Sequence, residues 1–158
     1  MNPDFNDLLR CFNDNNVEYL VIGGHAVIEY TEPRYTKDLD VWVRAERTNA
    51  SAVFAALRQF GAPLAGVTPD DFTHEGYVYQ IGVAPVRIDI LMSIDGLTFA
   101  QAWPNRVKVD FGGVTGLLIS LGDLIRAKRA SGRPQDLLDA ESLARALEQR
   151  ASTEERGK

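Results

Sequence analysis

Cysteine and histidine are scarce in this 158-residue chain, which has one of the first and two of the second. Cys11 has no partner for an intramolecular disulfide, and so few Cys and His residues exclude a zinc cluster of the usual composition. Positive charge is also in deficit: the formal net charge of -5 argues against a surface that grips phosphate backbone non-specifically, so any nucleic acid must be met locally. The first residues, MNPDFNDLLRCFND, lack a basic start followed by an apolar core, and no window approaches the ~20 apolar residues of a membrane span. A soluble, unexported protein of the reducing cytoplasm is expected, with no membrane partner. Repeats, low-complexity blocks and linkers are missing too, so one domain over residues 1–150 and a frayed tail over 151–158 are expected.

What is present is 45% hydrophobic residues, enough for one continuous core. Phe5, Leu8, Leu9 and Phe12 recur at helical spacing, and the polar cluster Asn13–Asn16 ends that helix before VEYLVI begins a strand. Gly23 and Gly24 break the strand, HAVIEY starts a helix, and DLDVWV reads as the next strand. Thr48 is a plausible N-cap for AVFAALRQF, with Gly61 as its stop. YVYQIGV and VRIDILM, separated by Ala84-Pro85, predict two more strands, and RVKVDF with VTGLLI predicts a strand pair. Ser120 and Asp123 form a capping pair for LGDLIRAKRA, and Pro134 opens a last helix. The expected fold is α/β (α+β): a small, mixed, twisted sheet of four or five strands flanked by helices and closed by a C-terminal helical hairpin.

Alternate side chains of a strand share a face, so Asp38, Asp40 and Trp42 point one way and Leu39, Val41 and Val43 the other. Two adjacent carboxylates repel unless one takes a proton or a cation bridges them. Asp89 repeats the theme between Ile88 and Ile90, where an unpaired charge would be expensive. Three hard oxygen donors with few imidazoles select Mg²⁺ or Mn²⁺ over zinc. The plain alternative makes Asp38 a turn cap, pairs Asp40 with Arg34 or Lys37, and pairs Asp89 with Arg87.

The stretch GGHAVIEYTEPRYTKDLDVWV resembles the signature of the DNA polymerase β-type nucleotidyltransferase superfamily: a Gly-Gly turn, about a dozen residues, then Asp-x-Asp on a strand, with Asp89 matching the third carboxylate on a later strand. The ordered Arg34, Thr36, Asp38 and Asp40 look most similar to small bacterial nucleotidyltransferase-like proteins grouped with AbiEii-type toxins. The resemblance implies a Mg²⁺-dependent enzyme that moves a nucleoside monophosphate from an NTP to an acceptor hydroxyl on tRNA, protein or a small molecule. It implies two ions held by Asp38 and Asp40, with Asp89 either sharing the second or acting as the base, and phosphate donors at Gly23 and Gly24. Gly24 stands where many members carry serine. An antitoxin or a second copy of the chain would be its partner. A catalytically silent nucleotide-binding or regulatory module of the same fold is the alternative, and a purely structural set of salt bridges a third reading.

Beyond the aspartates, His25 is a candidate phosphate donor, a local cap or a packed ring. Lys128 interrupts the apolar stripe of Leu121, Leu124 and Ile125; it either snorkels to solvent or reaches phosphates in the cleft, as a late-helix lysine does in the related enzymes. Asp136 falls on the packed side of the last helix and wants a cation, for which Lys128 is the nearest choice; helix-start electrostatics alone favour both Asp136 and Asp139, and Asp139 is given no site role. Trp42, Tyr30, Tyr35, Tyr77 and Tyr79 read as sheet and core residues, His74 as part of a loop, and Arg129 and Arg133 as a solvated face.

Overall fold

A computed structural model describes the chain except for Tyr35, Lys37, Ala84, Pro85, Gly157 and Lys158 and the side chains of Glu155 and Arg156. Ala84-Pro85, Tyr35 and Lys37, to which the sequence gives roles, therefore lie outside the described residues. Helix α1 (Pro3–Asp14) opens with Pro3 in its first turn and with the Asn2 side chain accepting from the Asp4 amide. It leads into β1 (Tyr19–Ile22), α2 (Gly23–Tyr30), β2 (Asp38–Val43) and α3 (Arg47–Phe60), then β3 (Val78–Ile81), β4 (Arg87–Leu91) and the short α4 (Phe99–Ala102). The chain continues through β5 (Val107–Asp110), β6 (Thr115–Leu118), α5 (Leu121–Ser131) and α6 (Pro134–Arg156).

The described strands form one six-stranded mixed sheet in the order β3-β4-β2-β1-β6-β5, one or two strands more than the sequence suggests. Both members of the hairpin β5–β6 join it, because β6 pairs in parallel with β1 through Val21 and Leu118. At the centre β2 runs antiparallel to β1 and parallel to β4. Registered partners share a face, so Leu20, Ile22, Asp40, Trp42, Asp89 and Leu91 look one way, while Tyr19, Val21, Val41 and Val43 look the other. The second face is wholly apolar and takes α1, whose Phe12 ring lies 5.4 Å from that of Tyr19. Carboxylates are thus confined to the first face.

Three local expectations are corrected. The N-cap position of α3 is Glu46, not Thr48, which lies within the first turn; Gly61 ends the helix in the left-handed region as expected. Two short segments escape the periodicity argument: a 3₁₀ turn over Pro69–Thr73, held by a Thr68–Asp71 capping box, and α4, capped by Thr98 and Gln101. Helix α6 continues through Arg156, where the sequence suggests a frayed tail from Ala151; alanine, glutamate and arginine all favour the helix. The Ser120–Asp123 cap and the start at Pro134 are as expected. Trp42, Tyr30 and Tyr79 are buried, whereas Tyr77 is at the surface and His74 is exposed and bonded to Asp70. No helix among the described residues is long and apolar enough to cross a membrane.

Candidate functional site

The parallel register of β2 and β4 sets Asp40 directly beside Asp89 and Asp38 beside Arg87. Ile22, the last residue of β1, pairs with Asp40 on its other side, and α2 starts at the very next residue. That abrupt turn needs Gly23, whose φ is +69° and whose missing Cβ would overlap the Asp40 carboxylate. Gly24 is constrained by Thr36, whose Cγ2 would lie 2.7 Å from an added Cβ. Both glycines therefore let the start of α2 settle against the strand that bears the acids. The sequence reading gave their small size to phosphate approach; packing against Asp40 and Thr36 already requires it.

Asp40 carries the electrostatic consequence. Burial, then Asp89, then Asp38 push its carboxyl up to about 6, against the opposing pull of Arg87 and Lys128. Arg87 Nη2 donates to Asp89 Oδ2 at 3.2 Å and forms an ion pair with Asp38 Oδ2 at the same distance. The plain pairing of Asp89 with Arg87 is thus present, and Asp38 shares it instead of capping a turn. Asp38 Oδ1, Asp89 Oδ1 and Arg87 Nε are nevertheless buried without a hydrogen-bond partner among the described residues. Among those residues no three acids, histidines or cysteines form a ready cage for an ion. Two buried, hard oxygen donors without partners among the described residues, beside a third raised carboxylate, have the chemistry that suits Mg²⁺ or Mn²⁺.

Asp40 and Gly23 open into a cleft of about 320 Å³ between the sheet and the hairpin of α5 and α6. Ile22, Leu91 and Leu124 supply its apolar floor, and Lys128, Arg133 and Asp136 its far wall. Lys128 does not snorkel: its side chain is 15% exposed, and Nζ lies 3.4 Å from Asp136 Oδ1 and 3.3 Å from Asp139 Oδ2. Arg133 Nε donates to Asp136 Oδ2 at 2.7 Å, so the solvated-face reading of Arg133 is incomplete. Burial alone would raise Asp136 and Asp139. The Arg133 hydrogen bond and Lys128 outweigh it at Asp136, as do Arg34, Gln135 and Lys128 at Asp139, and both stay below the ordinary carboxylate range.

Arg34 forks onto Asp139, at 2.8 and 3.3 Å, and not onto Asp40. Asp139, set aside in the sequence, is thus the knot that joins the loop before β2 to both C-terminal helices. The signal existed: Asp136, Asp139, Ala140 and Leu143 form one buried helical stripe. His25 is a packed ring, edge-on to Phe5 at 5.5 Å; burial lowers its pKa and Nε2 has no partner among the described residues. Asp38, Asp89, Gly24, His25, Arg34 and Thr36 do not line the cleft, and Arg34 lines a separate pocket beside Tyr30 and Asp139. Ser93 and Asp95 line it just past the end of β4 and were missed; their only signal is the turn SIDG after a strand that bears an acid.

The chain belongs to the family described as nucleotidyltransferase of unknown function (DUF6036), whose model matches residues 5–152. Similar folds occur in ANT(2'')-Ia solved with adenylyl-2''-tobramycin (16% identity, TM-score 0.56, covering 98% of this chain and 97% of that one). They occur also in a candidate nucleotidyltransferase, TM1012, from Thermotoga maritima (14%, 0.53, 94% and 96%) and in an antigenic nucleotidyltransferase-like protein from Paracoccidioides brasiliensis (18%, 0.51, 87% and 72%). A search of curated proteins finds no significant match.

Proposed function

We propose that this member of a nucleotidyltransferase family moves a nucleoside monophosphate from an NTP to the hydroxyl of an acceptor. The observation that carries the reading is the β2–β4 register, which sets Asp40 against Asp89 with Asp38 on the same face, across the cleft from Lys128. Asp38, Asp40 and Asp89 would hold Mg²⁺ or Mn²⁺, which when bound neutralises triphosphate charge and makes the acceptor hydroxyl more acidic. Gly23 and the first amides of α2 face the phosphates, and Lys128 and Arg133 approach them from the opposite wall. The acceptor oxygen attacks the α-phosphorus and gives its proton to Asp89; the α–β bridging P–O bond breaks and pyrophosphate leaves. The residues contribute position and charge, not a covalent intermediate.

One specific feature favours the alternative of a nucleotide-binding module without turnover: the acids are partly neutralised by Arg87, and Lys128 is already paired with two carboxylates. The sequence resemblance to AbiEii-type toxins supports a cytoplasmic toxin–antitoxin setting, and the tobramycin adduct of one structural neighbour supports testing small-molecule acceptors beside tRNA and protein. The test is incubation with each α-labelled NTP, Mg²⁺ and cell extract, followed by separation of RNA, protein and small molecules. Label should move to one fraction with the wild type and not with Asp89→Asn. A nucleotide-dependent thermal shift without label transfer would instead establish the silent module, and neither response would remove both readings.

A further inference from the structure

Arg87 was not among the residues singled out by the sequence motif, yet it sits on the carboxylate face. It precedes Asp89 by two positions on β4, so the two side chains share a face, and it is in register with Asp38 on β2. A single nitrogen, Nη2, serves both acids, while its own Nε and one oxygen on each acid stay buried and, among the described residues, unpartnered. An arginine placed for stability would use its fork to satisfy a carboxylate at both oxygens, as Arg34 does on Asp139. Arg87 does the reverse: it neutralises two acids and satisfies neither.

We propose that Arg87 is an internal counter-ion that keeps Asp38 and Asp89 together until a divalent cation replaces it, and that it thereby sets the affinity of the carboxylate cluster for the metal. Three charges support the balance. Without Arg87 the acids on β2 and β4 repel; with both Arg87 and a dication between them, the two cations repel. Exchange is sterically open, because the arginine side chain is 39% exposed and that of Asp38 31%, while Asp89 at 13% is the fixed member. The freed guanidinium stays on a long stem at the mouth of the acids, where solvent receives it. This inference rests on the reading of the cluster as a metal-dependent site.

Mn²⁺ binding, followed by the loss of the free-ion paramagnetic resonance signal and by calorimetry, tests it in wild type, Arg87→Gln and Asp89→Asn. Arg87→Gln should bind Mn²⁺ more tightly by on the order of tenfold, the size expected for removing one like charge from beside a partly solvated ion. Its metal-free melting temperature should fall below that of the wild type and recover when Mn²⁺ is added. Should Arg87→Gln not fold, Arg87→Met serves, because it keeps an unbranched stem, removes the same charge and should also tighten binding. Wild-type binding that Asp89→Asn abolishes, combined with unchanged or weaker binding in the folded arginine variant, overturns the counter-ion proposal alone. No Mn²⁺ binding by the wild type or by either variant overturns the metal-site reading itself, and the proposal with it.

Discussion

Replacing Asp40 by asparagine should make the metal-free protein more stable while removing its response to divalent cations. The displacement of this carboxyl from 3.8 to about 6 means that the folded state holds the proton more tightly than the unfolded chain, and the difference corresponds to about 3 kcal/mol. The sign follows. A group whose folded pKa is raised adds stability that is complete below the unfolded value and is lost as pH rises through the folded one. At pH 7.5 the ionised Asp40 therefore gives none of this stability and is held under strain by burial, Asp89 and Asp38. Asparagine keeps the shape and drops the charge, so a gain of about 1–3 kcal/mol is expected, or roughly 3–9 °C in melting temperature for a chain of this size. Thermal and urea unfolding with a chelator present, at pH 5 and pH 7.5, measure it. Wild type should gain about 1 kcal/mol more than the variant on going to pH 5. The comparison between the two proteins matters because His25, buried with a lowered pKa, works in the opposite direction: its stability is lost as pH falls below 6.5, equally in both. A variant no more stable than wild type at pH 7.5, with a parallel pH profile, would refute the picture of repelling acids that await a cation.

Asp139→Asn should unfold at a temperature several degrees lower, at a cost of about 2 kcal/mol once the partial exposure of Arg34 is discounted, because Lys128 and Arg34 lose a buried partner. The loss should be complete above the unfolded value of 3.8 and fade only as pH falls through the lower folded value, where the carboxyl is at last protonated in both states, and urea titrations across that range check it. Gly23→Ala should cost about 2–3 kcal/mol, since a positive φ and an overlap with the Asp40 carboxylate are both imposed; chemical denaturation gives the number, and a cost under half of it would mean that the turn relaxes freely.

The parts of the fold that the sequence made legible are those written as periodicity or punctuation. Gly23, Gly61, Ser120 with Asp123, and Pro134 each mark an element end that the structure keeps, because each solves a local backbone problem on its own. Long-range facts were not legible in the same way. That β6 lies beside β1, and so brings β5 into the sheet, depends on a single parallel pairing between Val21 and Leu118, residues no local pattern connects. At the site, the shared face of Asp38 and Asp40 is a matter of alternation, but Asp89 beside Asp40 is a matter of register, for which the chain offers only the type of residue. The bond from Arg34 to Asp139 spans 105 positions, and Arg34 has acids much nearer in sequence; only the packing of α6 across the loop selects among them.

The two sides of the cleft differ in charge, and this follows from the ion pairs in and behind each. On the sheet, Asp38, Asp40 and Asp89 face one arginine, leaving two net negative charges once Asp40 is ionised. On the helical side, Arg34, Lys128 and Arg133 face Asp136 and Asp139, and Asp95, which lines the cleft and acts on Arg133, offsets the one positive charge left over. A lone NTP, strongly anionic, would be repelled by the first wall and only weakly held by the second. A dication bound to the sheet acids cancels the first of these without touching the second, so metal and nucleotide should bind with positive coupling, each increasing the affinity for the other by the same factor. Lys128 then need not leave Asp136 and Asp139 to contribute. Fixed between them and mostly out of water, its ammonium would act through the field of the wall it belongs to, and the proposed function gives a reason for a buried lysine there to be held by two acids instead of one.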